Sequence, residues 1–260
     1  LNDVVLKSGG DVTSKNALLA GHDITVNAVG SVDNQSKVQA DNDITVDADG
    51  NINSQDMTAL NDVVLKSGGD VTTNNTLLAG NDIKLNAAGS VENQGKVQAD
   101  NDITVDAGGN IASKDMTALN DAVLKSGGNI TSSNALLAGH DMTVNAAGAV
   151  DNQGKVQADN DIAVDAGGDI SSHDMNAVND VMLTSGGNIV SSHALLAGRD
   201  IALNATGNID NQKKIQADQD LNIDAGGDVS SHDMLAIRDL SLKSGGDVTT
   251  NNTLLAGNDI

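Results

Sequence analysis

The sequence predicts an all-β fold, a right-handed parallel β-helix solenoid with about 20 residues per coil and 13 coils grouped in 59-residue triplets. The first observation is repetition, because a 59-residue pattern begins at Asn2, Asn61, Asn120, Asn179 and Arg238. A fixed period of about 20 residues is typical of a solenoid. The second observation is that apolar residues recur with a spacing of two, the period of a strand. The third is that poor helix formers such as Asn, Asp, Gly and Thr recur in every unit, which argues against a helical repeat.

One unit, residues 81–100, shows how a coil is built. Its inward candidates fall into three sets, separated by steps of four residues that skip a corner: Ile83, Leu85 and Ala87, then Val91 and Asn93, then Val97 and Ala99. Each coil should therefore hold three short strands joined by three tight corners. The next coil begins again at Ile103, which we expect to lie directly above Ile83. The right hand follows from the general rule for parallel crossovers.

Apolar columns support this interpretation. β-branched and other aliphatic residues dominate them, as a buried parallel sheet prefers. The 19-residue unit lacks one residue at its second corner and carries Met at the next inward position, where a flexible side chain can fill altered space. The first column begins Val4, Ile24, Ile44, Val63, Ile83, Ile103, and the methionines are Met57, Met116, Met175 and Met234.

Two residue types mark the corners. The ninth residue of every unit is Gly, for which we expect a positive φ. The second residue is always Asp, which we expect to accept hydrogen bonds from corner amides of the stacked coils. Examples are Gly30, Gly69, Gly89 and Gly109, and Asp23, Asp43, Asp82 and Asp102.

An inward polar column is predicted at Asn34, Asn93, Asn152 and Asn211, with Ser or Thr in the coils between. Buried polar groups must be paired, so we interpret the column as a hydrogen-bonded ladder that satisfies corner backbone groups. A catalytic Asn is the alternative.

Metal and cofactor sites are not expected. The Asp ladder could attract Ca²⁺, but its period of about 20 residues differs from that of the nonapeptide calcium-binding repeat. His173 and His193 lie at nearly the same corner of successive coils and could share a metal. A surface pair that arose by drift is the simpler interpretation.

Composition excludes several functions. The net charge of −22, from 36 acidic and 14 basic residues, argues against binding nucleic acid or anionic membranes. The absence of Phe, Tyr and Trp is unusual for a globular core but acceptable in a solenoid. The absence of Cys excludes a disulfide framework. Leu1 and Ile260 both fall within a repeat unit, and no signal peptide is visible, so we expect residues 1–260 to be a single array and a fragment of a longer filament.

An enzyme is not expected. No unit is longer than the basic period, so no inserted loop can wall a cleft. No residue breaks the repeat as an active site should.

The segment VNAAGAVDNQGKVQADNDIAVDAGGDI, Val144 to Ile170, resembles the haemagglutinin repeats of filamentous haemagglutinin-type exoproteins. The resemblance covers the whole chain. It implies a secreted filament of a Gram-negative bacterium, exported by two-partner secretion through a dedicated outer-membrane transporter. Contact-dependent growth inhibition proteins are members of this group.

Two functional hypotheses follow. The chain is either a stalk that holds an adhesin or toxin domain away from the cell, or a repeat-based adhesive module that binds glycans or receptors of a host or neighbouring cell. Outward residues such as Lys37, Lys96 and Lys155 would serve the second hypothesis, whereas the lack of Tyr and Trp counts against it. Unpaired strand edges at both ends predict end-to-end stacking.

Overall fold

The computed structural model describes residues 2–260, so Leu1 lies outside the described part of the chain. The described residues contain strands and no helix, and the chain forms a parallel β-solenoid of about 13 coils. None of these residues lies in a helix long and apolar enough to cross a membrane. The coils divide into two compact units, residues 1–128 and 129–260, which are described separately. That residues 1–260 form a single array stays a prediction.

In the first unit, each coil contains a five-residue strand followed by two shorter ones. The first strands are Val4–Ser8, Ile24–Ala28, Ile44–Ala48, Val63–Ser67, Ile83–Ala87, Ile103–Ala107 and Ala122–Ser126. The second strands are Val12–Ser14, Val32–Asn34, Ile52–Ser54, Val71–Thr73, Val91–Asn93 and Ile111–Ser113. The third strands are Leu18–Ala20, Val38–Ala40, Met57–Ala59, Leu77–Ala79, Lys96–Ala99 and Asp115–Ala118.

In the second unit, the same three strands recur, and the second and third strands merge in its last three coils. The first strands are Met142–Ala146, Ile162–Ala166, Val181–Ser185, Ile201–Ala205, Leu221–Ala225 and Leu240–Ser244. The second are Ile130–Ser132, Val150–Asn152, Ile170–Ser172 and Ile189–Ser191, and the third are Leu136–Ala138, Val156–Ala158, Met175–Ala177 and Leu195–Ala197. The merged strands are Ile209–Ala217, Val229–Ala236 and Val248–Ala256.

Strand pairing is parallel and stacks equivalent residues of successive coils. Ile83 pairs with Ile103, Val91 with Ile111, and Ala99 with Ala118. Each of these β-strands thus hydrogen-bonds to the coil before it and the coil after it, at a separation of about 4.8 Å. The expected placement of Ile103 directly above Ile83 is confirmed.

The core lies between the three strand faces and consists of the predicted inward columns. Along Ile44–Ala48 the residues alternate between buried and half-buried, as period-two alternation requires. Ile44, Ile83 and Ile103 have no exposed surface. The methionines of the 19-residue coils, Met57, Met116, Met175 and Met234, are all buried.

The 19-residue coil shortens one corner and leaves the strands in register. Two residues join Ile52–Ser54 to Met57–Ala59, whereas three join Val32–Asn34 to Val38–Ala40. Met57 still pairs with Val38 and Leu77. The missing residue therefore changes the shape of the corner without displacing the column.

Candidate functional site

The Asp residues in the second position of each unit form a ladder at the corner before the first strand. Asp23 Oδ1 accepts hydrogen bonds from the backbone N–H of Asp43, at 3.2 Å, and from Asn42 Nδ2, at 2.7 Å. Asp43 Oδ1 accepts the same pair of bonds from Asp62 and Asn61. Asp82 and Asp102 repeat this geometry with the coils that follow them. Each Asp therefore fixes the corner of the coil after it.

Hydrogen bonds donated to a carboxylate stabilise its charged form. The Asn42 side chain, together with the Asp43 amide, holds the pKa of Asp23 below its usual value. Burial raises the pKa of Asp82, but hydrogen bonds from Lys84, Asn101 and the Asp102 amide outweigh it and leave that pKa lowered. At Asp23 and Asp82 the hydrogen bonds of the ladder therefore favour the ionised carboxylate.

The Gly in the ninth position of each unit, at the corner after the first strand, does not have the positive φ that we expected from the sequence. No described residue has a positive φ, so the expectation for Gly30, Gly69, Gly89 and Gly109 is wrong. The reason is close approach between coils. A Cβ on Gly89 would lie 2.1 Å from Asp70 Oδ1, and a Cβ on Gly69 would lie 2.0 Å from Asn51 Oδ1.

That close approach reveals a second ladder, which the sequence analysis missed. The residue after each of these glycines is Asp, Asn or Ser in most coils, and its side-chain oxygen accepts the backbone N–H of the equivalent residue one coil later. Ser90 N–H donates to Asp70 Oδ1 at 2.7 Å, and Asp70 N–H donates to Asn51 Oδ1 at 2.9 Å. In the sequence, the recurrence of Asp, Asn or Ser directly after these glycines could have indicated this second ladder. Ala149 interrupts the pattern, because its side chain has no acceptor.

The inward Asn column is buried, and the amide nitrogens of three of its members donate hydrogen bonds to corner carbonyls. Asn93 Nδ2 donates to Gly95 O at 3.0 Å, Asn152 Nδ2 to Gly154 O at 2.6 Å, and Asn211 Nδ2 to Lys213 O at 2.8 Å. These bonds connect each of the three Asn side chains to the second corner of its own coil.

The side-chain oxygens of the inward Asn residues differ in whether they accept a hydrogen bond. Thr73 Oγ1 donates to Asn93 Oδ1 at 2.6 Å. By contrast, Oδ1 of Asn34, Asn152 and Asn211 has no hydrogen-bond partner. Serine precedes these three in the stack and donates instead to a carbonyl of its own coil, as Ser191 does to His193 O at 3.1 Å. The ladder is therefore complete only at Asn93.

His173 and His193 do lie together in the second unit. Their rings stack with centroids 4.4 Å apart and planes 22° apart, and Ser192 Oγ lies within 3.2 Å of both Nδ1 atoms. Ring lone pairs lie in the ring planes, so nearly parallel rings do not direct them to a common point. The arrangement is a stacked polar pair joined by a hydroxyl.

The outward surface carries no walled cleft within residues 2–260. No connection between consecutive strands there is longer than three residues. Lys37, Lys96 and Lys155 are all exposed at the same place in their coils. What the geometry offers is a repeated surface on a closely hydrogen-bonded scaffold.

Comparison with known proteins agrees with this architecture. Residues 1–95 match the family model of the haemagglutinin repeat. No curated protein and no solved structure matches the chain. The haemagglutinin repeat is a structural or adhesive repeat of secreted or surface exoproteins. The first 95 residues are therefore similar to haemagglutinin repeats, and the residues after them continue the same period and the same three-strand coil.

Proposed function

We propose that this chain is a stalk segment of a large bacterial surface exoprotein and that it holds an adhesin or toxin domain away from the cell. The observation that carries the proposal is the continuity of pairing within each unit. Strands, apolar columns and the Asp ladder pass from one coil to the next, and no loop interrupts them. Such a scaffold resists bending because every coil is bonded to its neighbours.

A stalk should change in length with the number of repeats. Deletion of residues 61–119 removes one 59-residue triplet and keeps every coil type next to its usual neighbour. We expect the particle to shorten by about 14 Å, three coils at about 4.8 Å each. Small-angle scattering and atomic force microscopy measure this. A triple variant with Lys37, Lys96 and Lys155 changed to Ala is the matched control and should keep its full length. An unchanged length after the deletion would refute the stalk.

Export is part of the same proposal. The resemblance supports a Gram-negative cell surface, reached through a dedicated outer-membrane transporter of a two-partner system. Surface labelling of cells with and without the transporter tests this. Equal surface labelling with and without the transporter would contradict the proposal that the transporter is a partner of this chain.

End-to-end stacking of the purified chain is a further proposal, and sedimentation over a range of concentrations tests it.

An adhesive module is the second candidate, favoured by the recurrence of exposed lysines at one place in the coil. Repeated identical contacts would produce multivalent, individually weak binding. A glycan array and a cell-binding assay with the purified chain test it, with the triple lysine variant as control. Saturable binding that the variant loses supports adhesion, and its absence in a folded protein leaves the stalk.

A further inference from the structure

One corner of the first unit differs from its neighbours in chemistry. At the first position of the unit most coils carry Asn, which donates to the ladder Asp of the preceding coil, as Asn42 does to Asp23. The second coil carries His22 at this position. His22 Nδ1 lies 2.9 Å from Asp3 Oδ1 and 3.0 Å from Asp23 Oδ2.

These three atoms are all electron-pair donors unless Nδ1 carries a proton. Their spacing is also close to that of metal ligands. Tetrahedral bonds of about 2.1 Å place two ligands about 3.4 Å apart, so Asp3 Oδ1 and Asp23 Oδ2 would each have to move about 0.5 Å away from His22 Nδ1 to admit the ion. The three ligand atoms all lie within 4.8 Å of one another. We propose that Asp3, His22 and Asp23 form a surface site for a first-row divalent transition metal ion such as Zn²⁺.

The corner ladder prepares the ligands. Asp23 Oδ1 is occupied by bonds from Asn42 and the Asp43 amide, which leaves Oδ2 directed at His22. The backbone carbonyl of His22 accepts the Asn42 N–H at 3.1 Å, which holds the residue in the stack. The next coil therefore fixes the backbone of His22 and the carboxylate of Asp23. Preorganised ligands lose less freedom when they bind an ion.

The ligand types decide which ion binds. One imidazole with two carboxylates suits Zn²⁺, Ni²⁺ or Cu²⁺, whereas Ca²⁺ needs six or more oxygens. The side chain of His22 is 61% exposed, so water could reach the ion and would complete its coordination. The ion would join the first coil, through Asp3, to the second coil, through His22 and Asp23.

The repeats themselves supply the test variant. Asn is native at this position in other coils, so His22→Asn keeps the ladder donor and removes the imidazole. To isolate the site, the other histidines are replaced by residues native to their positions: His140→Asn, His173→Gln, His193→Asn and His232→Gln. Isothermal titration calorimetry with ZnCl₂ then compares this background with and without His22→Asn.

We expect one Zn²⁺ per chain in the background and at least a tenfold weaker association after His22→Asn or Asp3→Asn. Circular dichroism should show the same β-sheet content in every variant. Equal Zn²⁺ affinity with and without His22, or no binding in the folded background, would overturn the proposal. If the chain with its other four histidines replaced fails to fold, the single variants His22→Asn and His232→Gln test the proposal instead. Only His22→Asn should reduce the number of Zn²⁺ ions bound by the natural chain.

Discussion

At the corner after the first strand, glycine is required by the side chain of the preceding coil. Gly89 has an ordinary backbone conformation, but its hydrogen faces Asp70 Oδ1, which bonds to the Ser90 amide. A methyl group there would displace an acceptor that fixes the next corner. Gly168 faces Ala149 instead, and its nearest contact for an added Cβ is 3.2 Å.

Gly89→Ala should therefore destabilise the protein by about 1–3 kcal/mol, the usual range for overpacking. Gly168→Ala should cost clearly less, about 0.5 kcal/mol, because no ladder side chain has to move. Chemical denaturation monitored by circular dichroism measures both. Equal losses in the two variants would mean that backbone conformation, and not the ladder, selects glycine.

The Lys84–Asp82 pair, with nitrogen and oxygen 2.9 Å apart, sets a pH dependence. The Asp82 hydrogen bond raises the pKa of Lys84, and the pKa of Asp82 is lowered. A lowered carboxyl pKa contributes stability above its unfolded value that is lost as pH falls through the folded value. A raised amine pKa contributes below its unfolded value and is lost as pH rises through the folded one. The pair therefore stabilises between these limits.

Lys84→Thr, with Thr native at the equivalent Thr104, should lower stability at pH 7 by at most about 1 kcal/mol, as for a surface pair. The difference from the natural chain should disappear below the folded pKa of Asp82 and above that of Lys84. Thermal unfolding across pH measures it. A difference that persists in strong acid would contradict the ion-pair account.

At the scale of the strand, the inward polar column shows what one methyl group changes. Thr73 pairs with Asn93 across the second strands, and Ser191 pairs with Asn211 in the same way. Only the threonine directs its hydroxyl to the Asn oxygen. Thr73 is itself buried at its position, so the coil has room for the larger side chain there.

Ser191→Thr should stabilise the protein by about 0.5–1.5 kcal/mol, because it supplies a donor to the buried Asn211 Oδ1. The reverse change, Thr73→Ser, should destabilise by a similar amount. Urea denaturation of both variants checks the pair. A loss of stability in Ser191→Thr would show that the methyl group does not fit that coil.

Much of each element could be predicted from the sequence, because alternation with period two identifies the inward residues directly. The strand Ile83–Ala87 and the column through Ile83 and Ile103 needed nothing more. The cause of the regular glycine at Gly89 could not be predicted, because it depends on how closely Asp70 approaches from the preceding coil. The hydroxyl direction of Ser191 depends on a rotamer, which periodicity does not encode.

At the scale of the whole molecule, stability is approximately a sum over coils and their neighbours. A destabilising substitution should therefore lower the stability of its own coil and the adjoining coils only. Gly89→Ala should reduce hydrogen-exchange protection in the adjoining coils, about residues 61–109, and leave the protection of residues 180–240 unchanged. Native-state hydrogen exchange read by mass spectrometry tests this. A uniform loss of protection would mean that the coils unfold only as one cooperative unit.

The Asp ladder also has a direction. Asp23 accepts from Asp43, and Asp43 accepts from Asp62, so each acceptor belongs to the earlier coil and each donor to the later one. A finished coil is thus a template for the residues that follow it in the chain. If the chain folds from its N-terminal coil, each new coil would bring its backbone donors to Asp acceptors that the finished coil already holds in place.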